Sequence, residues 1–185
     1  MKILGINTSP RQDSNVKAAM EVALSTAQEE GADTIIISTN KLDISPCQAD
    51  NYCKEHDGHC AIQDNMQAIY KKIEDSDVIV LGTPIYFSDI SAQAKLIIDR
   101  LYSYFMNEDY QKLFSNKKVY FITTNGVAPA ESFKPSLETQ INAFVLLGFQ
   151  KGDILSLGGN NEPGAFKDKD DQIEKAKEFG KKLVN

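Results

Sequence analysis

The sequence predicts a three-layer α/β sandwich around a five-stranded parallel sheet. Three observations carry the prediction. Short runs rich in β-branched residues, such as Thr34-Ile35-Ile36-Ile37-Ser38 and Asp77–Gly82, are almost continuously apolar, which is how strands covered on both faces read. Longer amphipathic segments alternate with them, and successive strand–helix units joined by right-handed crossovers place helices on both sides of a sheet. The 185 residues amount to about one domain, so residues 1–185 are read as a single one. The strand order adopted is 2-1-3-4-5, a common arrangement for doubly wound sheets.

The strands are expected at Lys2–Asn7, Asp33–Thr39, Asp77–Gly82, Lys118–Thr123 and Gly152–Leu157. Helices are expected at Ser14–Glu30, Asp64–Asp75, Ser91–Phe105, Pro135–Leu147 and Asp170–Leu183. In the first, Val16, Met20, Ala23, Leu24 and Ala27 recur at helical spacing and Gly31 stops it. In the second, Met66, Ile69, Tyr70 and Ile73 do the same, with Asp64 as cap. In the third, Ala94, Ile97, Ile98, Leu101 and Phe105 form one stripe, while Leu96, Tyr102 and Tyr104 fall off it. That helix therefore has more apolar surface than one sheet face covers, and a homo-oligomer is expected. An insert at about 40–63 breaks the rhythm. It has no periodicity, and a structureless loop of that length in a compact domain usually has a task.

Composition narrows the function. Apolar residues make up 42% and charged residues 25%, so wholesale disorder is excluded. Twenty basic against 26 acidic side chains give a net charge of −6, which argues against a nucleic-acid partner held through phosphates. No apolar stretch approaches the ~18 residues that span a bilayer. The apolar run after Met1-Lys2 ends at Ile6, and the three cysteines are an odd number. A cytoplasmic location without a disulfide framework is expected.

Ligands of open α/β sheets sit at the carboxyl ends of the strands. The first such loop is Thr8-Ser9-Pro10-Arg11-Gln12-Asp13-Ser14-Asn15-Val16, rich in hydroxyls and carboxamides and ending at a helix start. The unpaired N–H groups and partial positive charge there suit a phosphate, to which Arg11 adds a full charge. Ordinary helix capping by Asp13, Ser14 or Asn15 explains the same residues. The third strand runs into Gly82-Thr83-Pro84-Ile85-Tyr86-Phe87-Ser88, a wall for a flat apolar ligand. The fourth ends Thr123-Thr124-Asn125-Gly126-Val127, where Asn-Gly is expected to supply a left-handed turn with exposed amides. No GxGxxG follows the first strand and no GxxxxGK[ST] or GxSxG occurs, which excludes dinucleotide-fingerprint, P-loop and hydrolase-elbow readings.

The combination of "TSPRxxSN" after the first strand, "GTPIYF" and the downstream "AQAKLIIDR" resembles the flavodoxin-like NAD(P)H-dependent FMN reductase family. The stretch "PCQADNYCKEHDGHCAIQDNM" is most similar to its iron–sulfur flavoprotein branch. The resemblance covers residues 2 to about 126, and beyond them only general spacing and "GGNNEPGAF". It implies the flavodoxin-like order 2-1-3-4-5 and FMN as cofactor. The phosphate would lie on Ser9, Arg11, Ser14, Asn15 and Val16, the ring against Pro84, Ile85, Tyr86 and Phe87, with Thr124, Asn125 and Gly126 closing the pocket. It further implies an oxidoreductase that takes electrons from NAD(P)H and passes them to a quinone, a free flavin or another acceptor. Dimers or tetramers are expected, and neither a nucleic acid nor a membrane is a partner. The flavin carries the hard chemistry, so no catalytic side chain is assigned. The alternative is an iron–sulfur flavoprotein that transfers electrons between protein partners. Zero Trp, and no Gly between Thr8 and Asn15, weigh against a pure electron-carrier flavodoxin.

All three cysteines and both histidines fall between Cys47 and Cys60. The iron–sulfur branch carries C-x2-C-x2-C and a fourth Cys a few residues on. Here Asp50 stands at the second position, giving a degraded motif of Cys47, Asp50, Cys53 and Cys60 for a [4Fe–4S] cluster. Carboxylate is a harder and weaker ligand for such a cluster than thiolate. Zinc held by three thiolates and one imidazole, from His56 or His59, is a second option. Three reduced thiols in a loop that shapes the substrate pocket are the third.

Overall fold

The computed structural model describes residues 1–185. The strands are β1 (Lys2–Asn7), β2 (Asp33–Ser38), β3 (Val78–Tyr86), β4 (Asp89–Ile90), β5 (Lys118–Thr124) and β6 (Gln150–Leu157). The helices are α1 (Asn15–Glu29), α2 (Tyr52–Glu55), α3 (Met66–Asp75), α4 (Ala92–Arg100), α5 (Glu108–Phe114), α6 (Lys134–Val145) and α7 (Asp170–Lys182). Five strands pair in parallel in the order β2-β1-β3-β5-β6, the flavodoxin-like order once β4 is set aside. The sheet has six strands rather than five: β3 overshoots its expected end at Gly82 and folds back antiparallel onto β4, pairing Ile85 with Ile90.

The continuous apolar runs serve two cores at once. Leu4, Ile6, Ile79, Leu81, Val119 and Phe121 face one layer with α3, α4 and α6, whereas Ile3, Val78, Val80, Tyr120 and Ile122 face the other with α1 and α7. Successive side chains of a strand point to opposite faces, so both parities must be apolar in a covered sheet. The outer layers fit tightly. A Cβ on Gly180 of α7 would fall inside contact distance of the Ala23 carbonyl oxygen of α1. That oxygen belongs to a helix backbone and cannot rotate away. Gly180→Val is therefore expected to cost about 1–3 kcal/mol of unfolding free energy by overpacking, read as a lowered urea midpoint at unchanged slope. A midpoint equal to the parent's would show that the two helices are free to separate.

The expected third helix ends sooner than its pattern suggests. After Arg100 the chain tightens into a 3-10 turn over Leu101–Tyr104. The tighter winding re-aims Tyr104 inward, where it is 1% exposed and its hydroxyl donates to Glu74 Oε1 at 2.8 Å. Tyr104 is thus core rather than surplus surface, which corrects the expectation for that residue. Tyr102 stays 40% exposed. With Ile98, Leu101, Phe105, Ala143 and Leu146 it lines an apolar groove of about 440 Å³ between α4 and α6.

Candidate functional site

Three strand ends and one later loop build a cleft at the carboxyl edge of the sheet. Directly after β1, Thr8 is pinned to β3: its N–H and its hydroxyl both donate to the Gly82 carbonyl at 2.8 Å. Ser91, at the start of α4, donates to the Thr8 carbonyl at 3.0 Å, and its own N–H donates to Thr83 Oγ1 at 3.0 Å. This fully buried hydroxyl cluster fixes the floor on which the first loop rests. Ser14 then caps α1, its side chain accepting from the Lys17 N–H at 3.1 Å. The N–H groups ahead of Lys17 have no carbonyl one turn back and remain available to a ligand.

The second and third walls follow from the ladder. Pro84 of β3 lies opposite Thr124 of β5, and Thr124 opposite Leu157 of β6. The ladder continues past the strands as Asn125 N–H to Leu157 O at 3.0 Å and Asn160 N–H to Asn125 O at 2.7 Å, so Asn125-Gly126 is not the left-handed turn expected and the Asn125 amide is paired rather than exposed. Asn160 and Asn161 are thereby carried to the cleft. Arg11 closes it from the other side, its Nη1 donating to the Asn161 carbonyl at 2.8 Å.

The resulting cavity, about 100 Å³, is lined by Ser9, Arg11, Ser14, Asn15, Pro84, Ile85, Tyr86, Thr124, Asn125 and Gly126, together with Asn160 and Asn161. Ten of the twelve residues expected to bind the cofactor therefore meet in one place. Val16 and Phe87 do not. The Val16 side chain is buried in the α1-side core, so only its backbone belongs to the helix start. Phe87 sits at the tip of the β3–β4 hairpin with φ +50° and is fully exposed, outside the cleft. The hairpin reverses the chain one residue too early for Phe87 to join the wall. Asn160 and Asn161 join the lining from the "GGNN" stretch after the last strand, where no periodicity points inward.

The donor set suits a phosphate. Arg11 is the one charged residue lining the cavity, and the Ser9 and Ser14 hydroxyls stand beside it. Asn15 is more structural than expected: its Nδ2 donates to the Asn160 and Glu162 carbonyls and its Oδ1 accepts from the Phe166 N–H. Asn125 is 6% exposed, yet its Oδ1 has no hydrogen-bond partner. A buried acceptor left unmade costs about 1–3 kcal/mol, so this oxygen awaits an N–H donor.

The cysteine insert behaves differently. Cys47, Asp50, Cys53 and Cys60 line one pocket, but it measures about 10 Å³, room for a single water at most. No group of three or more His, Cys, Asp or Glu side chains is arranged to hold a metal ion. Asp50 Oδ1 already accepts from the Tyr52 N–H at 3.0 Å. His56 stacks on Tyr52 with ring centroids 3.6 Å apart, and it and His59 are exposed and away from the pocket. Neither the cluster set nor the zinc set fits, and no step is derived through either.

A flavodoxin-like α/β protein with a phosphate-ready helix start and an apolar wall at its sheet edge is the class these features define. Comparison with known proteins makes it specific. Residues 1–150 match the family described as NADPH-dependent FMN reductase, and the chain belongs to that family. It is 42% identical to an iron-sulfur flavoprotein of Methanocaldococcus jannaschii over 100 residues, 54% of this chain and 51% of that protein. It is 25% identical to an iron-sulfur flavoprotein of Archaeoglobus fulgidus over 186 residues, 100% of this chain and 79% of the other. In the most similar stretch, then, the chain spans about half the length of the curated relatives it matches. An NAD(P)H:quinone oxidoreductase from Methanothermobacter marburgensis shares the fold at a TM-score of 0.73 and 14% identity, covering 100% of this chain and 98% of its own.

Proposed function

We propose that the protein binds FMN in the sheet-edge cleft and passes electrons from NAD(P)H to an acceptor such as a quinone or a free flavin. The observation that carries this reading is the cleft's division of labour. It has hydroxyls, N–H groups and a single cation at the α1 end, an apolar Pro84-Ile85-Tyr86 wall, and two buried amide oxygens without partners, those of Asn125 and Asn160.

FMN supplies hydride acceptance and release when bound. The chain binds and orients. The start of α1 with Arg11, Ser9 and Ser14 would hold the phosphate, and Pro84, Ile85 and Tyr86 would flank the ring. Thr124, Asn125 and Gly126 would close the pocket, the Asn125 carboxamide accepting an N–H from the ring edge. The Gly126 N–H would face developing negative charge, the Asn125 N–H being held by the Leu157 carbonyl. No side-chain acid or base is needed.

The visible spectrum of anaerobically purified protein, with steady-state NADH and NADPH oxidation, is the test. A flavin spectrum and quinone-dependent turnover are expected. A protein that is colourless and stays so with added FMN would overturn the reading. Similarity to iron-sulfur flavoproteins favours a second one, one-electron transfer between protein partners through a cluster. Iron and sulfide analysis of the same sample decides between them, and the 10 Å³ thiol pocket speaks for the first.

A homodimer or homotetramer belongs to the same proposal, with the groove between α4 and α6 as its contact. A monomeric mass by light scattering at micromolar concentration would end that part. No helix is long and apolar enough to cross a membrane, and a cytoplasmic location is proposed with the rest.

A further inference from the structure

Residues 40–63 hold a constellation that flavin binding leaves unused. Arg100, at the end of α4, grips both ends of the segment. Its Nη1 donates to the Ser45 carbonyl at 2.8 Å and to Asp64 Oδ2 at 2.7 Å, and its Nη2 reaches the Ile62 carbonyl at 3.4 Å. Between these anchors Cys47, Cys53 and Cys60 line one pocket with Arg100, Tyr102 and Ser103.

The chain reverses between Cys53 and Cys60 through a turn of fixed shape. The Gly58 N–H donates to the Cys53 carbonyl at 2.9 Å and the His59 N–H to the His56 carbonyl at 2.8 Å. Asp57 and Gly58 both take left-handed conformations, with φ +51° and +83°. A Cβ at position 58 would lie 2.5 Å from the Tyr110 ring, so the turn is also pinned from outside. Its result is to bring Cys60 back to the pocket that Cys53 lines. Cys53 is buried, Cys60 is half-buried, and Cys47 is exposed at the rim with its sulfur accepting from the Ala49 N–H at 3.5 Å.

Two polar groups on residues of this pocket have no partner, Arg100 Nε and Ser103 Oγ, although both residues are almost wholly buried. The Tyr70 hydroxyl, which donates to the Arg100 carbonyl at 2.8 Å, keeps its oxygen lone pairs toward the Ser103 and Arg100 side chains. A guanidinium and a hydroxyl that line the same pocket as the thiols suit sulfur that carries negative charge.

We propose that Cys53 and Cys60 form a reversible disulfide on exposure to hydrogen peroxide, so that the insert is a peroxide-responsive dithiol rather than a metal centre. Cys60, the more accessible of the two, attacks as thiolate. Its sulfur bonds one peroxide oxygen, the O–O bond breaks, and hydroxide leaves, giving a sulfenic acid. The Cys53 sulfur then attacks the Cys60 sulfur, the S–S bond forms and the S–O bond breaks. The departing oxygen leaves as water with the Cys53 proton. In total, two thiols lose two hydrogens and one peroxide becomes two waters. Burial, the largest influence, pushes the Cys53 thiol above its ordinary range, which suits a resolving thiol that stays protonated until it is needed.

The proposal is independent of the flavin reading. The test treats the reduced, full-length protein with stoichiometric hydrogen peroxide, traps free thiols with an alkylating reagent and maps peptides by mass spectrometry. One of the three thiols should remain free, the intact mass should fall by two hydrogens, and a Cys53–Cys60 bridged peptide should appear that dithiothreitol abolishes. Cys47→Ser should keep the bridge, and Cys53→Ser and Cys60→Ser should each lose it. Three free thiols after treatment, a bridge that includes Cys47, or stable added oxygens on cysteine would each overturn the proposal. So would anaerobic iron and sulfide reconstitution that protects all three cysteines.

Discussion

Arg100→Ala is expected to lower the unfolding free energy by about 3–5 kcal/mol, the cost of breaking a buried ion pair from one side. The Arg100 side chain is fully buried and that of Asp64 is 6% exposed. Removing the guanidinium would strand the carboxylate and leave the Ser45 and Ile62 carbonyls without their donor. The loss would also free both ends of the cysteine insert. Burial pushes the Asp64 carboxyl up, but hydrogen bonds from Arg100, the Ser45 N–H and the Met66 N–H outweigh it and hold the group below the usual carboxylate range. A depressed carboxyl stabilises the fold above its unfolded pKa of about 3.9 and ceases to do so as pH falls through the lower folded value. The parent should therefore lose this part of its stability only below about pH 4. Urea unfolding at neutral pH, and again at acid pH, checks both statements. A loss under about 1 kcal/mol at neutral pH would mean that the pair behaves as an exposed one.

Arg11→Ala is expected to weaken FMN binding by ~1–3 kcal/mol, roughly 5- to 150-fold in Kd, the worth of a charge-assisted hydrogen bond. Arg11 is the only charge in the cleft lining, and its one side-chain contact within the protein is the Asn161 carbonyl at 2.8 Å. Its removal should thus leave the thermal midpoint of the FMN-free protein nearly unchanged. Ser14→Ala should weaken binding as well, but it also removes the cap on the Lys17 N–H and should cost about 1 kcal/mol of stability. Flavin fluorescence titration reads the affinity, and thermal unfolding separates the two roles. Should both variants hold FMN as tightly as the parent, the phosphate does not sit at the start of α1.

Much of this protein was legible in its residues, and the reason lies in particular elements. Val78–Leu81 and Val119–Ile122 are apolar at both parities, and only a strand with a core on each face requires that. The loop after β1 announced itself by hydroxyls and carboxamides crowded at a helix start, a place where chain polarity alone puts unpaired N–H groups. Pro84, Thr124 and Asn125 were visible because the parallel order places all strand ends on one edge. The short helix at Glu108–Phe114 and the β4 return at Asp89–Ile90 were not foreseen. One is a single amphipathic stretch too brief to show a period, and the other consists of two residues.

The periodic part is written in the residues: which segments are strands, which faces of the helices are apolar, and which loops must share the carboxyl edge. Long-range packing sets the remainder. Packing buries Tyr104 by tightening the chain after Arg100, turns Phe87 out of the cleft, and brings Asn160 in through a ladder that outlasts its strands. It also gathers the three cysteines around Arg100 in a pocket too small for a cluster. Periodicity records how each segment meets the average environment of a layer. A single side chain at a turn, or a pocket among loops, depends on contacts with residues far along the chain, and these leave no local pattern.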